Sequence, residues 1–438
     1  MRAGNPGNVS LMSSYRQPGT IVTDHVFMVP LDHAEPDGRR IELFAREVVA
    51  AQARAADLPW LLYLEGGPGH GAIRPAGRDG WLDRALADYR VLLLDQRGTG
   101  RSAPASRLTL AALGSPQAQA DYLALFRSDA IVADAELIRK QVTGGRPWSV
   151  LGQSFGGFCT VAYLSRAGDG LREAFIAGGL PGLDTTADDV YRLTYQAVAA
   201  KNREHYARYP QDVERARRVA LALAEAPARL PGGMRLTVEG FQSLGLMLGA
   251  STGSHTLHYL LEDPFTAGEL SDAFRYRAQS MLTLAGAPLY ALLHEAEYSQ
   301  GPATGWAAQR IRAEFSEFDP ARALDSDAPL MFTGEMIYPW MFENDPVLAP
   351  LAQTAEALAR REGWPPLYDA ARLRASAVPA AAAVYFNDMY VPAELSLRTA
   401  SAIGGLAPWV TSEYEHDGLR VSHGAVLDRL IGMARGEM

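Results

Sequence analysis

Trp148-Ser149-Val150-Leu151 is an apolar run that empties, with no intervening loop, into Gly152-Gln153-Ser154-Phe155-Gly156-Gly157. Few local patterns restrict a fold more. The run reads as a buried strand, and the glycine-flanked serine reads as a sharp turn into a helix. The flanking glycines let neighbouring backbone pass close to the turn. Such a turn lifts the serine hydroxyl above the edge of a sheet. That hydroxyl is a poor nucleophile by itself, so a base, an acid and an oxyanion site are required elsewhere.

The 438 residues, 48% hydrophobic and 21% charged, suffice for one large core with an insertion or for two domains. A formal net charge of −9 argues against nucleic acid or an anionic membrane as partner. The single cysteine, Cys159, excludes an intrachain disulfide and reads as a buried packing residue. Residues 1–19 are polar, with no apolar stretch, so neither a secretory signal nor a membrane span is expected and the expected location is cytoplasmic.

Residues 21–29 and 41–49 alternate as an antiparallel strand pair does. The continuous apolar runs at 60–64 and 90–94 predict central parallel strands covered on both faces, with a helix over 80–89 between them. Residues 118–142 carry helical periodicity, with Ile131, Ala135 and Ile138 on one face and Asp129, Asp134 and Glu136 off it. A buried strand is expected over 174–179. This alternation predicts an α/β sheet. From 184 to 324 the chain is helix-rich and strand-poor, which predicts an inserted helical cap. The strand rhythm is expected again at 329–333, 381–386 and 409–411. The expected organisation is therefore a core over 1–183, a cap over 184–325 and the rest of the core over 326–438.

In an open α/β sheet, reactive groups gather at the carboxyl ends of the strands. Here those positions hold Glu65-Gly66-Gly67-Pro68-Gly69-His70, Asp95-Gln96-Arg97, the Ser154 turn, Asn387-Asp388 and Glu415-His416-Asp417. The order Ser154, Asp388, His416 is the order used by α/β-hydrolases. His416 would take the Ser154 proton, and Asp388 would orient the imidazole. Backbone N–H groups of Phe155 and Gly67 are the candidate oxyanion donors. Taken singly, each element has a plainer explanation: a turn, a helix cap, a core histidine, a loop. Their joint occurrence in this order is what outweighs it. His423 and the acids Asp417 and Glu335 are rivals, with Glu335 the more serious acid. Asp95 and Arg97 read as a structural ion pair. The nine histidines show no metal-ligand spacing, so no metal or cofactor is expected.

Gly66-Gly67-Pro68-Gly69, Asp95-Gln96-Arg97-Gly98-Thr99-Gly100-Arg101-Ser102 and Gly152-Gln153-Ser154-Phe155-Gly156-Gly157 resemble the proline iminopeptidases, serine peptidases of α/β-hydrolase fold. Leu293-His294-Glu295-Ala296, Thr333-Gly334-Glu335-Met336 and Glu415-His416-Asp417-Gly418-Leu419-Arg420 resemble the larger, bacterial form of that family. The resemblance implies removal of an N-terminal residue, usually proline, from short peptides with a free N-terminus. It also implies cap carboxylates that bind the substrate amine, and Glu295 and Glu335 fit that role by motif. An α-amine has a pKa of roughly 7.7 to 8, so it is largely cationic at neutral pH. The ring of Phe155 and the aromatics Tyr298, Tyr338 and Trp340 are candidates to line a pocket for a proline ring, though core packing explains them equally well. Two other readings stand beside this one: an esterase on the same scaffold, and a catalytically inactive binding protein.

Overall fold

The computed structural model describes residues 10–438. The expectation for the polar N-terminal stretch falls partly on residues 1–9, outside the described residues. Nine strands form the main sheet: β1 (Ser10–Gln17), β2 (Thr20–Pro30), β3 (Arg40–Ala50), β4 (Trp60–Leu64), β5 (Arg90–Leu94), β6 (Trp148–Gln153), β7 (Leu171–Ala177), β8 (Ala380–Tyr385) and β9 (Leu406–Thr411). Their order is β1-β2-β3-β5-β4-β6-β7-β8-β9. The first three pair antiparallel, β3 meets β5 antiparallel, and every later pairing is parallel. The strand β1 was not anticipated; its polar residues form an edge beside β2.

The apolar runs divide by strand period. Leu62, Leu64, Leu92, Leu94 and Val150 face one layer, while Leu61, Tyr63, Val91, Leu93 and Leu151 face the other. Helices cover both faces. Ile131, Ala135 and Ile138 of α2 (Ser128–Thr143), with α3 (Phe155–Ala167), fill the first layer. Trp81, Leu82 and Ala85 of α1 (Gly80–Asp88), with the C-terminal helix Ala425–Ala434, fill the second.

The expected helix over 118–142 is interrupted. Helical residues Pro116–Leu123 and a short turn at Ala124–Phe126 precede α2, and Arg127 between them is extended. Arg127 is buried, lies over the Trp364 ring and donates to the Ser299 carbonyl, contacts that a continuous helix would not allow it. Asp134 is buried rather than outward. Arg97 donates to it twice, Nε to Oδ2 at 2.7 Å and Nη2 to Oδ1 at 2.6 Å. Asp95 and Arg97 therefore form no pair. Asp95 instead holds Arg74 and the backbone N–H groups of Ala72 and Arg101. Residues two apart in a turn point different ways, and each found a distant partner.

Between β7 and β8 no described strand joins the main sheet. The insertion is built on α4 (Ala187–Arg208), started by a reciprocal Thr186–Asp189 capping box. Tyr191, Tyr195 and Val198 of α4 enter a second core with Phe241, Leu257 and Phe332. The expected strand at 329–333 does not form. Asn202 of α4 bonds both the N–H and the carbonyl of Phe332, and Gln242 accepts through its backbone carbonyl from Thr333 N–H. Groups of the insertion thus satisfy backbone that a sheet would otherwise have paired. The sheet resumes only at Ala380. No helix among the described residues is long and apolar enough to cross a membrane.

Candidate active site

Ser154 sits between β6 and α3 with φ 55° and ψ −125°, a conformation uncommon for a residue with a side chain. Hydrogen bonds hold it there. Its N–H donates to Ala177 O, and its carbonyl accepts from Gly157 N–H at 2.7 Å. The neighbours must be glycine. A Cβ on Gly156 would fall 2.0 Å from Leu64 O, and one on Gly152 2.1 Å from Gly156 O. The same crowding governs the Gly66–Gly69 turn, where a Cβ on Gly69 would fall 2.5 Å from the Tyr290 nitrogen of α5 (Pro288–Leu293). That approach presses the turn against the insertion between β7 and β8.

Ser154, His416, Gly67 and Glu335 line one cavity of about 480 Å³. Asp388 lies behind it, almost fully buried. Its Oδ1 accepts from the N–H groups of Tyr390 (2.8 Å) and Val391 (3.0 Å), and its Oδ2 is 2.6 Å from His416 Nδ1. An imidazole that donates from Nδ1 leaves Nε2 as the acceptor. Nε2 has Gln153 Nε2 at 3.4 Å, and Ser154 Oγ makes no hydrogen bond among the described residues. The serine–histidine contact is thus open, as such contacts often are before substrate binds. The Tyr390 ring stands edge-on to the imidazole, with centroids 4.8 Å apart. The rival Asp417 is occupied by Ser251, whose hydroxyl donates to it at 2.6 Å. His423 does not line the cavity.

Burial pushes the His416 imidazole down, but the charge and hydrogen bond of Asp388, aided by Glu335, outweigh it and hold the ring above its ordinary value of 6.5. Only the neutral ring can accept a proton. The acid limb of kcat/KM is therefore expected to have its midpoint above pH 6.5, with activity falling as pH drops through it. A pH–rate profile checks this, and a midpoint below that value would contradict it.

Phe155 opens α3, so its N–H has no acceptor within the helix and lies at the helix's positive end. Its ring packs in the sheet core against Phe158 and stays out of the cavity.

Not every expected residue reaches this site. Glu335 is there, half-buried, with Tyr290 Oη–H donating to its Oε1 at 2.6 Å. Glu295 is not. Its carboxylate accepts from the N–H groups of Ala307 (3.1 Å) and Ala308 (2.9 Å), capping α6 (Ala307–Arg312), and it faces a separate crevice. Tyr338 and Trp340 are stacked on each other in the insertion between β7 and β8, and Tyr338 Oη is bonded to Tyr195 Oη. Neither lines the Ser154 cavity, nor does Tyr298. The chain turns at Pro339 into the short helix Pro339–Asn344, carrying these rings away from Glu335.

Several lining residues were not singled out from the sequence: Glu65, His70, Tyr290, Tyr390 and Arg420. Four of them fall inside or beside quoted motifs. Tyr290 precedes His294 by four residues, a spacing that shares one helix face. Burial raises the Glu65 carboxyl above its usual range, against hydrogen bonds from Gly66 N–H and Tyr63 Oη–H. Burial also lowers the His70 imidazole.

A mostly parallel sheet with a serine at the β6–α3 turn and a histidine–aspartate pair beyond later strands defines an α/β-hydrolase. The family model for the alpha/beta hydrolase fold matches residues 59–265. The chain belongs to the proline iminopeptidase family. It is 50% identical over 412 residues to the proline iminopeptidase of Aeromonas sobria, covering 94% of this chain and 96% of that one. It is also 38% identical over 421 residues to the proline iminopeptidase aneH of Aspergillus aculeatus, covering 93% and 92% respectively.

Proposed function

We propose that this chain is a serine aminopeptidase that releases N-terminal proline from short peptides through an acyl-enzyme on Ser154. The observation that carries the reading is one cavity holding the strained serine, the Asp388-bound imidazole and Glu335, in a member of this family. Ser154 Oγ attacks the carbonyl carbon of the first residue while His416 Nε2 takes its proton. The oxyanion is met by the N–H groups of Phe155 and Gly67; losing one such donor typically costs on the order of a hundredfold. The peptide C–N bond then breaks, and His416 returns the proton to the leaving amine. Water, deprotonated by the same imidazole, hydrolyses the ester and frees the amino acid.

Glu335 supplies the selectivity for a free amino terminus. Tyr290 occupies its Oε1, which leaves Oε2 for the substrate ammonium. Leu246, Met281 and Tyr390 offer apolar surface for the proline ring. Glu295 takes no part in this reading, because a helix N-terminus already uses its carboxylate. The helical insertion from residue 184 acts as a lid that roofs the cavity through Leu246, Met281 and Tyr290. The single buried cysteine and the acidic charge fit a cytoplasmic enzyme.

A panel of aminoacyl arylamides run beside simple esters tests the assignment. Proline arylamide is expected to give the highest kcat/KM. Simple esters outpacing every arylamide would instead establish an esterase.

A further inference from the structure

Arg420 stands apart in the Ser154 cavity. It is the one lysine or arginine among the lining residues, in a chain whose net charge is −9. It is exposed at the rim, and among the described residues its guanidinium makes no hydrogen bond or ion pair. Its charge nevertheless bears on the interior, since Glu65, His70 and His416 all feel it. A cation held without a partner at the mouth of a carboxylate-lined cavity has a vacant valence for an anion. The guanidinium fork matches a carboxylate with two parallel N–H···O bonds.

The direction of the substrate follows from the site already described, and this inference rests on that aminopeptidase reading. The amine lies at Glu335 and the scissile carbonyl at Ser154. The leaving residue must lie toward His416, which protonates its nitrogen. Arg420 follows His416 by four residues, on the short helix Gly418–Val421 that continues the His416 loop. The departing part of the peptide therefore passes Arg420. A cavity of about 480 Å³ is the size of a small-molecule site.

We propose that Arg420 binds a carboxylate on the leaving residue, so that the preferred substrates are very short peptides whose second residue carries a free carboxylate. Two sources share this chemistry, the C-terminal α-carboxylate of a dipeptide and an acidic side chain. Pro-Gly, Pro-Gly amide and Pro-Asp amide separate them.

The test measures kcat/KM for the three peptides and for proline arylamide, with wild type, Arg420→Met and Arg420→Lys. Pro-Gly is expected to exceed Pro-Gly amide by about fivefold in wild type, the scale of an exposed charge pair. The ratio is expected to fall to near one in Arg420→Met and to recover in part in Arg420→Lys. A gain for Pro-Gly alone assigns the α-carboxylate; an equal gain for Pro-Asp amide extends the site to acidic side chains. A merely structural arginine would lower acid and amide substrates together and leave their ratio intact, which overturns the proposal. So do wild-type rates for Pro-Gly and Pro-Asp amide that both match Pro-Gly amide, in an enzyme that still cleaves proline arylamide. Failure to cleave the arylamide at all would instead refute the aminopeptidase reading on which the inference stands.

Discussion

Ser154→Ala is expected to lower kcat on the order of 10⁶-fold, as loss of the nucleophile does when serine, base and acid act as a unit. The fold is expected to survive the change. Ser154 Oγ makes no hydrogen bond among the described residues, and the bonds that fix the turn come from its backbone N–H and carbonyl. Alanine keeps the Cβ, so the strain at φ 55° is the same in both proteins. Thermal unfolding of the variant should therefore match wild type within a few degrees. Single-turnover assays with proline arylamide read the chemical step directly. Turnover within a hundredfold of wild type would mean that a different group attacks the carbonyl.

Much of this architecture was written locally in the chain. The runs at β4, β5 and β6 are buried on both faces, so continuous apolar sequence marked β4 and β5 with their correct bounds, while β6 runs two residues past its apolar run, to Gln153. The turn at Ser154 was legible because steric crowding leaves only glycine at positions 152 and 156. The pairing of His416 with Asp388 was readable from strand-end positions, since the sheet converges them.

What stayed hidden depended on distant partners. An apolar run reports burial, not its neighbour, so 329–333 read as a strand although Asn202 and Gln242 satisfy its backbone. Glu295 matched a motif, but nothing near it in sequence revealed that the N–H groups of Ala307 and Ala308 claim its carboxylate. Arg97 and Asp134 meet only because α2 crosses the start of the sheet loops, a contact spanning 37 positions. The strand β1 escaped notice because an edge strand needs no apolar run.

Blocking the substrate amine is the second large effect. At neutral pH the free amine is mostly an ammonium, with a pKa of roughly 7.7 to 8, and in the proposed reading it meets the half-buried carboxylate of Glu335 beside Tyr290. An acetyl group removes the charge and adds bulk at the amine. Breaking a hydrogen-bonded charge pair of this kind costs about 2–5 kcal/mol, or roughly 30- to 4,000-fold in kcat/KM. Glu335→Gln keeps the shape and removes only the charge, so it should lower kcat/KM for the free amine while leaving far less discrimination between free and blocked substrates.

kcat/KM for proline arylamide and its N-acetyl derivative, compared on wild-type enzyme and on Glu335→Gln, tests most directly whether this site reads a free amino terminus. Acetylation is expected to cost at least about 30-fold in wild type and much less in the variant. Equal rates on the two substrates in wild type would contradict it.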